Sequence, residues 1–155
     1  MGKSKRPPRQ VEAPAPNPAR RLPILLAAVM AVVALVLGGK ALLAKPINPG
    51  DPAEVQLDQA LAQQRVVFAL YHSTTCIPCK EMERVAADVM PEFKNQVTFI
   101  DVNVYDDANM NLLRRMQIRV IPTTFIYDRH GTSKTFQGVL SRDALRAELR
   151  AALAR

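Results

Sequence analysis

The sequence is poor in cysteine, histidine and aromatic residues. Its 155 residues include two cysteines, two histidines and no tryptophan, and aromatic residues make up 5% of the composition. Two cysteines are too few for the disulfide framework of a cysteine-rich domain, and they supply only half of a four-cysteine metal site. The absence of tryptophan excludes assays that follow tryptophan fluorescence. A chain of this length is enough for one domain and an appendage.

The formal net charge of +7 is concentrated near the N-terminus. Residues 1–21 contain six Lys or Arg and one Glu, and Lys40 and Lys45 add two more positive charges. From residue 51 onward, 13 basic residues balance 13 acidic ones. The folded part of the chain is therefore neutral, and its composition gives no support to a nucleic-acid partner.

The N-terminal third has the pattern of a membrane anchor. Residues 1–21 are rich in Pro, Arg and Lys, which predicts a disordered basic tail. Residues 22–39 are 18 uncharged and mostly apolar residues, and Lys40 can snorkel to the membrane interface. We predict a transmembrane signal-anchor helix over residues 22–44 of a single-pass protein in the cell membrane, in contact with the lipid bilayer. The basic residues before it place the tail in the cytoplasm and the following domain outside, where disulfides persist.

A cleaved signal peptide is the alternative to an anchor, because it also combines a basic and an apolar segment. The apolar run is long for such a peptide, and Leu42 stands where a cleavage site ending at Ala44 needs a small residue. No cysteine follows the run, which excludes a bacterial lipoprotein anchor. We therefore favour the uncleaved anchor, with residues 45–51 as a linker.

The rest of the chain alternates segments typical of helices and strands. Asp51 predicts a helix N-cap and Pro52 fits the first helical position, so we expect a helix that runs to about Gln64. The apolar run over residues 66–71 predicts a central strand covered on both faces. In chain order, the further predictions are a helix from Cys76 to near Met90, a strand over residues 97–102, a helix over residues 107–116, a hairpin of residues 123–127 and 132–136, and a last helix capped by Ser141.

Periodicity assigns inward-facing residues to three of these helices. They are Val55, Ala60 and Leu61 in the first helix, Met110, Leu113 and Met116 in the third, and Leu145, Leu149 and Leu153 in the last. Strand–helix alternation that ends in a hairpin predicts an α/β fold with a mixed sheet and helices on both faces.

Both cysteines lie between the first strand and the helix that follows it. Cys76 falls at the helix N-terminus, where free N–H groups and the helix dipole favour its thiolate. Cys79 follows one turn later, within disulfide reach. This spacing favours a redox pair. A copper or zinc carrier that uses His72 as a third ligand is the alternative.

Three segments together resemble one known family. Residues 76–80 (Cys-Ile-Pro-Cys-Lys) are similar to the Cys-Gly-Pro-Cys-Lys of thioredoxins, and residues 117–123 (Gln-Ile-Arg-Val-Ile-Pro-Thr) resemble the segment leading into their cis-proline. Gly138 matches a glycine of their last strand. The resemblance covers residues 52–155 and implies a thioredoxin fold with thiol–disulfide exchange as the activity.

The resemblance also implies the roles of individual residues. Cys76 would be the nucleophile and Cys79 the resolving cysteine, with their redox-active disulfide in place of any cofactor or metal. Pro122 would be cis and pack beside the disulfide, and the backbone of Ile121 would pair with an extended substrate segment. The predicted substrate-binding residues are Ile77, Pro78, Ile121 and Thr123.

Three departures from the family concern proton transfer and the surface beside the motif. Thr75 stands where thioredoxins usually have Trp. Leu70 stands where they usually have a buried Asp, the proton relay of the second cysteine. Asp101, on the neighbouring predicted strand, falls where the family commonly has Lys. We hypothesise that Asp101 supplies the missing carboxylate as a proton relay; the alternative is a capping residue at a strand end.

The residues between the cysteines indicate the direction of electron flow. Strong oxidants of this superfamily place a His there, which stabilises the thiolate. Ile77 and Pro78 donate no side-chain hydrogen bond, so we expect a reductase of disulfides in exported proteins. An oxidising, disulfide-forming enzyme of the same fold is the alternative, and retention of both cysteines argues against a non-catalytic binding module.

A reductase outside the cytoplasm needs electrons from across the membrane. We therefore expect a membrane dithiol electron donor as a partner and protein disulfides as substrates, with the chain acting as a monomer. Apocytochrome c cysteines and misoxidised exported proteins both fit as clients, and the lack of extra insertions favours a general client range.

Overall fold

The computed structural model describes residues 46–155. The predicted basic tail of residues 1–21 and the predicted membrane helix of residues 22–44 lie outside these described residues and stay predictions. Within residues 46–155, no helix is long and apolar enough to cross a bilayer.

The described residues form a four-stranded mixed sheet flanked by four α-helices. The elements are α1 (Ala53–Ala62), β1 (Val66–His72), α2 (Ile77–Val89), β2 (Val97–Asn103), α3 (Met110–Met116), β3 (Thr123–Tyr127), β4 (Ser133–Gln137) and α4 (Arg142–Leu153), with 3₁₀ turns at Met90–Phe93 and Asp107–Asn109. The strand order is β2-β1-β3-β4. Strand β1 pairs in parallel with β2 and antiparallel with β3, and β3 pairs antiparallel with β4. The predicted mixed sheet is confirmed.

Strand β1 lies between two apolar layers, so all seven of its residues are buried. Alternate side chains such as Phe68 and Leu70 pack with α2 and α4, whereas Val67 and Tyr71 pack with α1 and α3. A strand covered on both faces needs apolar residues at every position, which is why its sequence reads as a continuous apolar run. The helices therefore lie on both faces, as predicted.

The sheet register brings two chain segments to the same edge of the sheet. Tyr71, near the end of β1, is paired with Thr123, the first residue of β3. The Ile121–Pro122 peptide immediately before β3 therefore lies at the edge where β1 leads into the cysteine motif. This peptide bond is cis, the geometry that the resemblance implied.

The first helix begins one residue later than expected. Its N-cap is Pro52, with no side-chain hydrogen bond, so the prediction of Asp51 as N-cap is wrong. The Gln56 side chain instead donates to the carbonyl oxygens of Asp51 and Pro49, at 2.7 Å and 3.1 Å. Gln56 therefore occupies the inward face, and Val55, predicted to face inward, is 39% exposed.

Residues 107–116 are not one continuous helix. The Asp106 carboxylate accepts a hydrogen bond from the Ala108 N–H at 3.0 Å, and a 3₁₀ turn follows before α3 begins. This turn changes the helical phase, so Leu112 is fully buried whereas Met110, predicted to face inward, is 49% exposed. In α4 the prediction is confirmed, since the Ser141 hydroxyl accepts from the Ala144 N–H at 3.2 Å.

Candidate active site

The cysteine motif lies on the turn between β1 and α2. Residues 73–75 connect the strand to Cys76, whose N–H donates to the Ser73 carbonyl at 3.3 Å. Cys76 is the N-cap of α2, with an extended backbone, and its Sγ accepts a hydrogen bond from the Cys79 N–H at 3.2 Å. Pro78 occupies the first turn, where the missing N–H costs no intrahelical bond. The predicted position of Cys76 at the helix N-terminus is confirmed.

Cys76 and Cys79 are joined by a disulfide, with their Cα atoms 5.2 Å apart, inside the usual range for a bridge. Their accessibilities differ. Cys79 is fully buried, whereas Cys76 is half-buried. The Cys76 sulfur is therefore the more accessible of the two to an external thiol or disulfide. This is the asymmetry that a nucleophile and a resolving cysteine need.

Apolar surface is exposed on the segments that flank the disulfide. The Ile77 side chain is 81% exposed, and Pro78 beside it is also exposed. Across the sheet edge, Val120 is 48% exposed and Ile121 is half-buried. A groove of about 290 Å³ continues from this segment and is lined by Val104, Leu113, Ile118, Arg119, Val120 and Ile121.

The segment around Pro122 is fixed from both sides. The carbonyl oxygen of Pro122 accepts from the Gly138 N–H at 2.8 Å. The buried Thr123 hydroxyl donates to the Val120 carbonyl at 2.6 Å. The paired register of β3 begins at Thr123, so Ile121 lies outside the sheet pairing. The backbone of Ile121 is held in place without being part of the sheet.

A buried histidine links three elements beside the motif. The His72 side chain is 7% exposed, and its two ring nitrogens each lie 2.5 Å from a carboxylate oxygen. Nδ1 contacts Glu83 of α2, and Nε2 contacts Asp101 of β2. Both contacts lack the alignment of a hydrogen bond. We name these three residues the His72 cluster.

The His72 cluster changes two predictions. His72 turns both nitrogens towards carboxylates, so it is not placed as a third ligand for the cysteines, and the His, Cys, Asp and Glu side chains of residues 46–155 form no group able to hold a metal. Asp101 is brought to His72 and not to a cysteine. Asp101 is also not the capping residue of the strand end, because there the Asn103 side chain accepts a hydrogen bond from the Tyr105 N–H.

Glu83 is the member of this cluster that the sequence analysis missed. It follows Cys79 by four residues in α2, which places both on one face of the helix, one turn apart. This four-residue spacing can be read from the sequence and would have indicated Glu83 as a neighbour of Cys79. Its partner His72 is brought to it only by the packing of α2 on β1.

Comparisons with known proteins agree with this geometry. A family model described as Thioredoxin matches residues 52–151. A protein of Mycolicibacterium smegmatis named thioredoxin is 30% identical over 93 residues, which are 60% of this chain and 83% of that protein.

Two solved structures show the same fold. The crystal structure of chloroplastic thioredoxin z has a TM-score of 0.58 at 22% identity, over 65% of this chain and 90% of that one. The structure of a malarial protein has a TM-score of 0.51 at 17% identity, over 57% and 98%. With the family match over residues 52–151 and the Cys76–Cys79 disulfide at the start of α2, the chain belongs to the thioredoxin family and is a thiol–disulfide oxidoreductase.

Proposed function

We propose that this oxidoreductase is tethered to the cell membrane, acts outside the cytoplasm and reduces the disulfides of exported proteins. The observation that carries the reducing direction is the surroundings of the Cys76 sulfur. Its donor among the described residues is the backbone N–H of Cys79, and Ile77 and Pro78 add no side-chain donor. A thiolate with little extra stabilisation leaves the dithiol strongly reducing.

The cycle is a two-step thiol–disulfide exchange. The Cys76 thiolate attacks one sulfur of a substrate disulfide, which forms a mixed disulfide and releases the other substrate sulfur as a thiolate. The Cys79 thiolate then attacks the Cys76 sulfur and releases the second substrate thiolate. Two electrons pass from the dithiol to the substrate, and a membrane dithiol donor reduces the Cys76–Cys79 disulfide again.

Substrate recognition is assigned to the two apolar segments beside the disulfide. An extended substrate strand would pair with the backbone of Ile121, which lies outside the pairing of the sheet. The exposed side chains of Ile77 and Pro78 would contact the substrate on the other side of Cys76. The Thr123 hydroxyl donates to the Val120 carbonyl and so holds the segment with which the substrate strand would pair.

The location outside the cytoplasm rests on the apolar run of residues 22–39 and the six basic residues before it. A membrane-impermeant maleimide applied to intact cells tests it after reduction of the disulfide. Labelling of Cys76 in intact cells supports an external domain. Labelling only after the cells are opened would place the domain inside.

The direction is tested by the reduction potential of the full chain in detergent micelles. The protein is equilibrated in glutathione or dithiothreitol buffers, and its free thiols are alkylated and counted by mass. A midpoint well below about −200 mV supports a reductase, whereas one near about −120 mV supports the oxidising alternative. Stoichiometric copper or zinc in the purified protein would instead support the metal carrier.

A further inference from the structure

We propose that the His72 cluster is the proton relay of Cys79, with Glu83 as the group that accepts the thiol proton. His72 and Asp101 act as positioning residues that hold Glu83 and connect it to solvent. The inference rests on the exchange cycle proposed above and assigns the base for its second step.

The second step of the cycle requires a base near Cys79. The attacking species is the thiolate, and burial among apolar groups disfavours the ionised form of a thiol. Cys79 is fully buried, and the Leu70 side chain of the adjacent strand is apolar and equally buried. Solvent therefore takes the Cys79 proton only slowly at neutral pH, and a protein group that accepts it would accelerate the step.

Glu83 has the position that this role needs. It lies one helical turn after Cys79 on the same face of α2, a separation of about 6 Å along the helix. Its Oε1 atom is buried, and that atom contacts His72 Nδ1 at 2.5 Å. One carboxylate oxygen of Glu83 is therefore held on the inner side of the helix, while its side chain as a whole is 39% exposed.

The other two residues of the cluster complete a path to water. The His72 ring is 7% exposed, and an imidazole can accept a proton at one nitrogen and release one from the other. Nε2 lies 2.5 Å from Oδ1 of Asp101, whose side chain is 61% exposed. The cluster thus extends from the buried face of α2 to the outer edge of the sheet.

The other charged residues on the helices packed beside this cluster are exposed or in ion pairs. On α2, Lys80, Glu81 and Arg84 lie nearest to Glu83 in sequence, and all three are exposed. On α4, Arg142 and Arg146 are paired with Asp88 and Glu92. On the β3 side, Thr123 and Thr124 face β1 and carry no charge. Among these charged groups, Glu83 and Asp101 are the ones that contact His72.

The proposed step is balanced in protons and electrons. The Cys79 S–H bond breaks and its proton moves to the Glu83 carboxylate. The Cys79 thiolate bonds to the Cys76 sulfur, the mixed-disulfide bond breaks, and the substrate leaves as a thiolate that takes a proton from water. The proton on Glu83 passes to His72 Nδ1, while the Nε2 proton passes to Asp101 and then to solvent.

The two thiol steps can be observed separately in the reduced full chain in detergent micelles. One equivalent of dithiobis(nitrobenzoate) releases one coloured thiolate when Cys76 attacks and a second when Cys79 resolves the mixed disulfide. We expect Glu83→Gln to leave the first release unchanged and to slow the second by on the order of tenfold to hundredfold at neutral pH. The deficit shrinks as pH rises, because hydroxide replaces the missing base.

Glu81→Gln is the matched control, since Glu81 is an exposed residue of the same helix and loses the same charge. An equal rate and an equal pH profile of the second release in Glu83→Gln, Glu81→Gln and the unmodified chain would overturn the relay. Asp101→Asn gives a second measurement at an exposed position, where folding is not at risk, and a several-fold slower second release is expected.

Denaturant unfolding separates the relay from a purely structural ion-pair cluster. A structural role lowers the unfolding free energy of the Glu83→Gln chain but leaves the pH profile of the second release unchanged, which would contradict the proposal. If the unmodified chain gives no second release at any pH, the exchange cycle itself is wrong and the relay falls with it.

Discussion

Leu70 of β1 and Asp101 of β2 are direct partners in the parallel register of the sheet, so their side chains leave the same face. Leu70 is fully buried under α2, whereas the side chain of Asp101, on the edge strand, is 61% exposed and contacts His72. Thioredoxins usually have a carboxylate at the Leu70 position. In this chain the ionisable groups lie around that apolar residue, at Glu83, His72 and Asp101.

Restoring a carboxylate at the Leu70 position should bypass the His72 cluster. In a Glu83→Gln background, Leu70→Asp is expected to recover roughly tenfold of the lost rate of the second thiolate release, because it places a base beside buried Cys79. Leu70→Asn in the same background is the control, since it has the same shape and no base. Equal recovery in both double variants would show that the gain is not proton transfer.

The same Leu70→Asp change should destabilise the domain in a pH-dependent way. An unpaired carboxylate in this core is expected to cost on the order of 3 kcal/mol of unfolding free energy at neutral pH. Burial raises the pKa of such a carboxyl above its unfolded value. The loss of unfolding free energy is therefore greatest above the folded-state pKa and becomes smaller as pH falls. Urea unfolding at about pH 7 and about pH 4 measures the difference. A loss that does not shrink at the lower pH would contradict this account.

The asymmetry in burial of the two cysteines predicts which variant traps a substrate. Cys79→Ser keeps the accessible Cys76 nucleophile but removes the resolving thiol, so a covalent complex with a disulfide substrate should accumulate. Cys76→Ser leaves only a buried thiol and should trap at least tenfold less. Non-reducing gel electrophoresis after acid quenching, followed by mass spectrometry, measures the complexes. More complex with Cys76→Ser would reverse the assigned roles.

Much of the fold is readable from the sequence because strand β1 is covered on both faces. An unbroken apolar run of this length is typical of a central strand, and the structure shows Val66–His72 as that strand. The last helix was equally clear, since Ser141 caps it and Leu145 and Leu149 recur at helical spacing on its buried face.

The wrong predictions of inward-facing residues arise where a polar side chain decides which face of a helix is buried. Gln56 turns inward to bind two carbonyl groups, and Asp106 starts a 3₁₀ turn before α3. Neither contact is encoded by hydrophobic spacing, so Val55 and Met110 were assigned to the wrong side. Glu83 was missed for a related reason, because a glutamate in an amphipathic helix usually indicates a solvated face. The contact of its buried Oε1 atom with His72 depends on how α2 packs on the sheet.

The proposed reducing direction depends on the two residues between the cysteines. A substitution there should therefore shift the reduction potential towards that of an oxidising enzyme. Pro78→His should place an imidazole in the first turn of α2, near the Cys76 sulfur, and stabilise the thiolate. We expect the reduction potential to rise by roughly 30 mV or more, which corresponds to about 1.4 kcal/mol for two electrons. The potential is measured by alkylation and mass after equilibration in glutathione buffers.

Pro78→Ser is the control for the loss of the proline itself. It changes the backbone at the same position and adds no ionisable ring. A rise in potential that is equal in the serine and histidine variants would assign the effect to the turn and not to thiolate stabilisation.

Two buried tyrosines predict how the domain loses stability at high pH. Burial raises the pKa of Tyr127 to about 12 and moves the pKa of Tyr71 well above its usual range. An unfolded tyrosine ionises at its ordinary pKa of about 10, while the folded one keeps its proton. The stabilisation is therefore fully present below about pH 10 and is lost as pH rises towards the folded-state value, which favours unfolding.

Tyr127→Phe should remove part of this alkaline loss. Its hydroxyl makes only a long contact of 3.7 Å with Met116 Sδ, so the cost at neutral pH should stay below about 1 kcal/mol. Between about pH 9 and about pH 12, the variant should retain on the order of 2 kcal/mol more of its unfolding free energy than the unmodified chain. Tyr105→Phe is the control, because Tyr105 is 74% exposed. Parallel denaturant titrations of all three chains give the comparison, and identical alkaline slopes for the two variants would rule out the buried tyrosine as the cause.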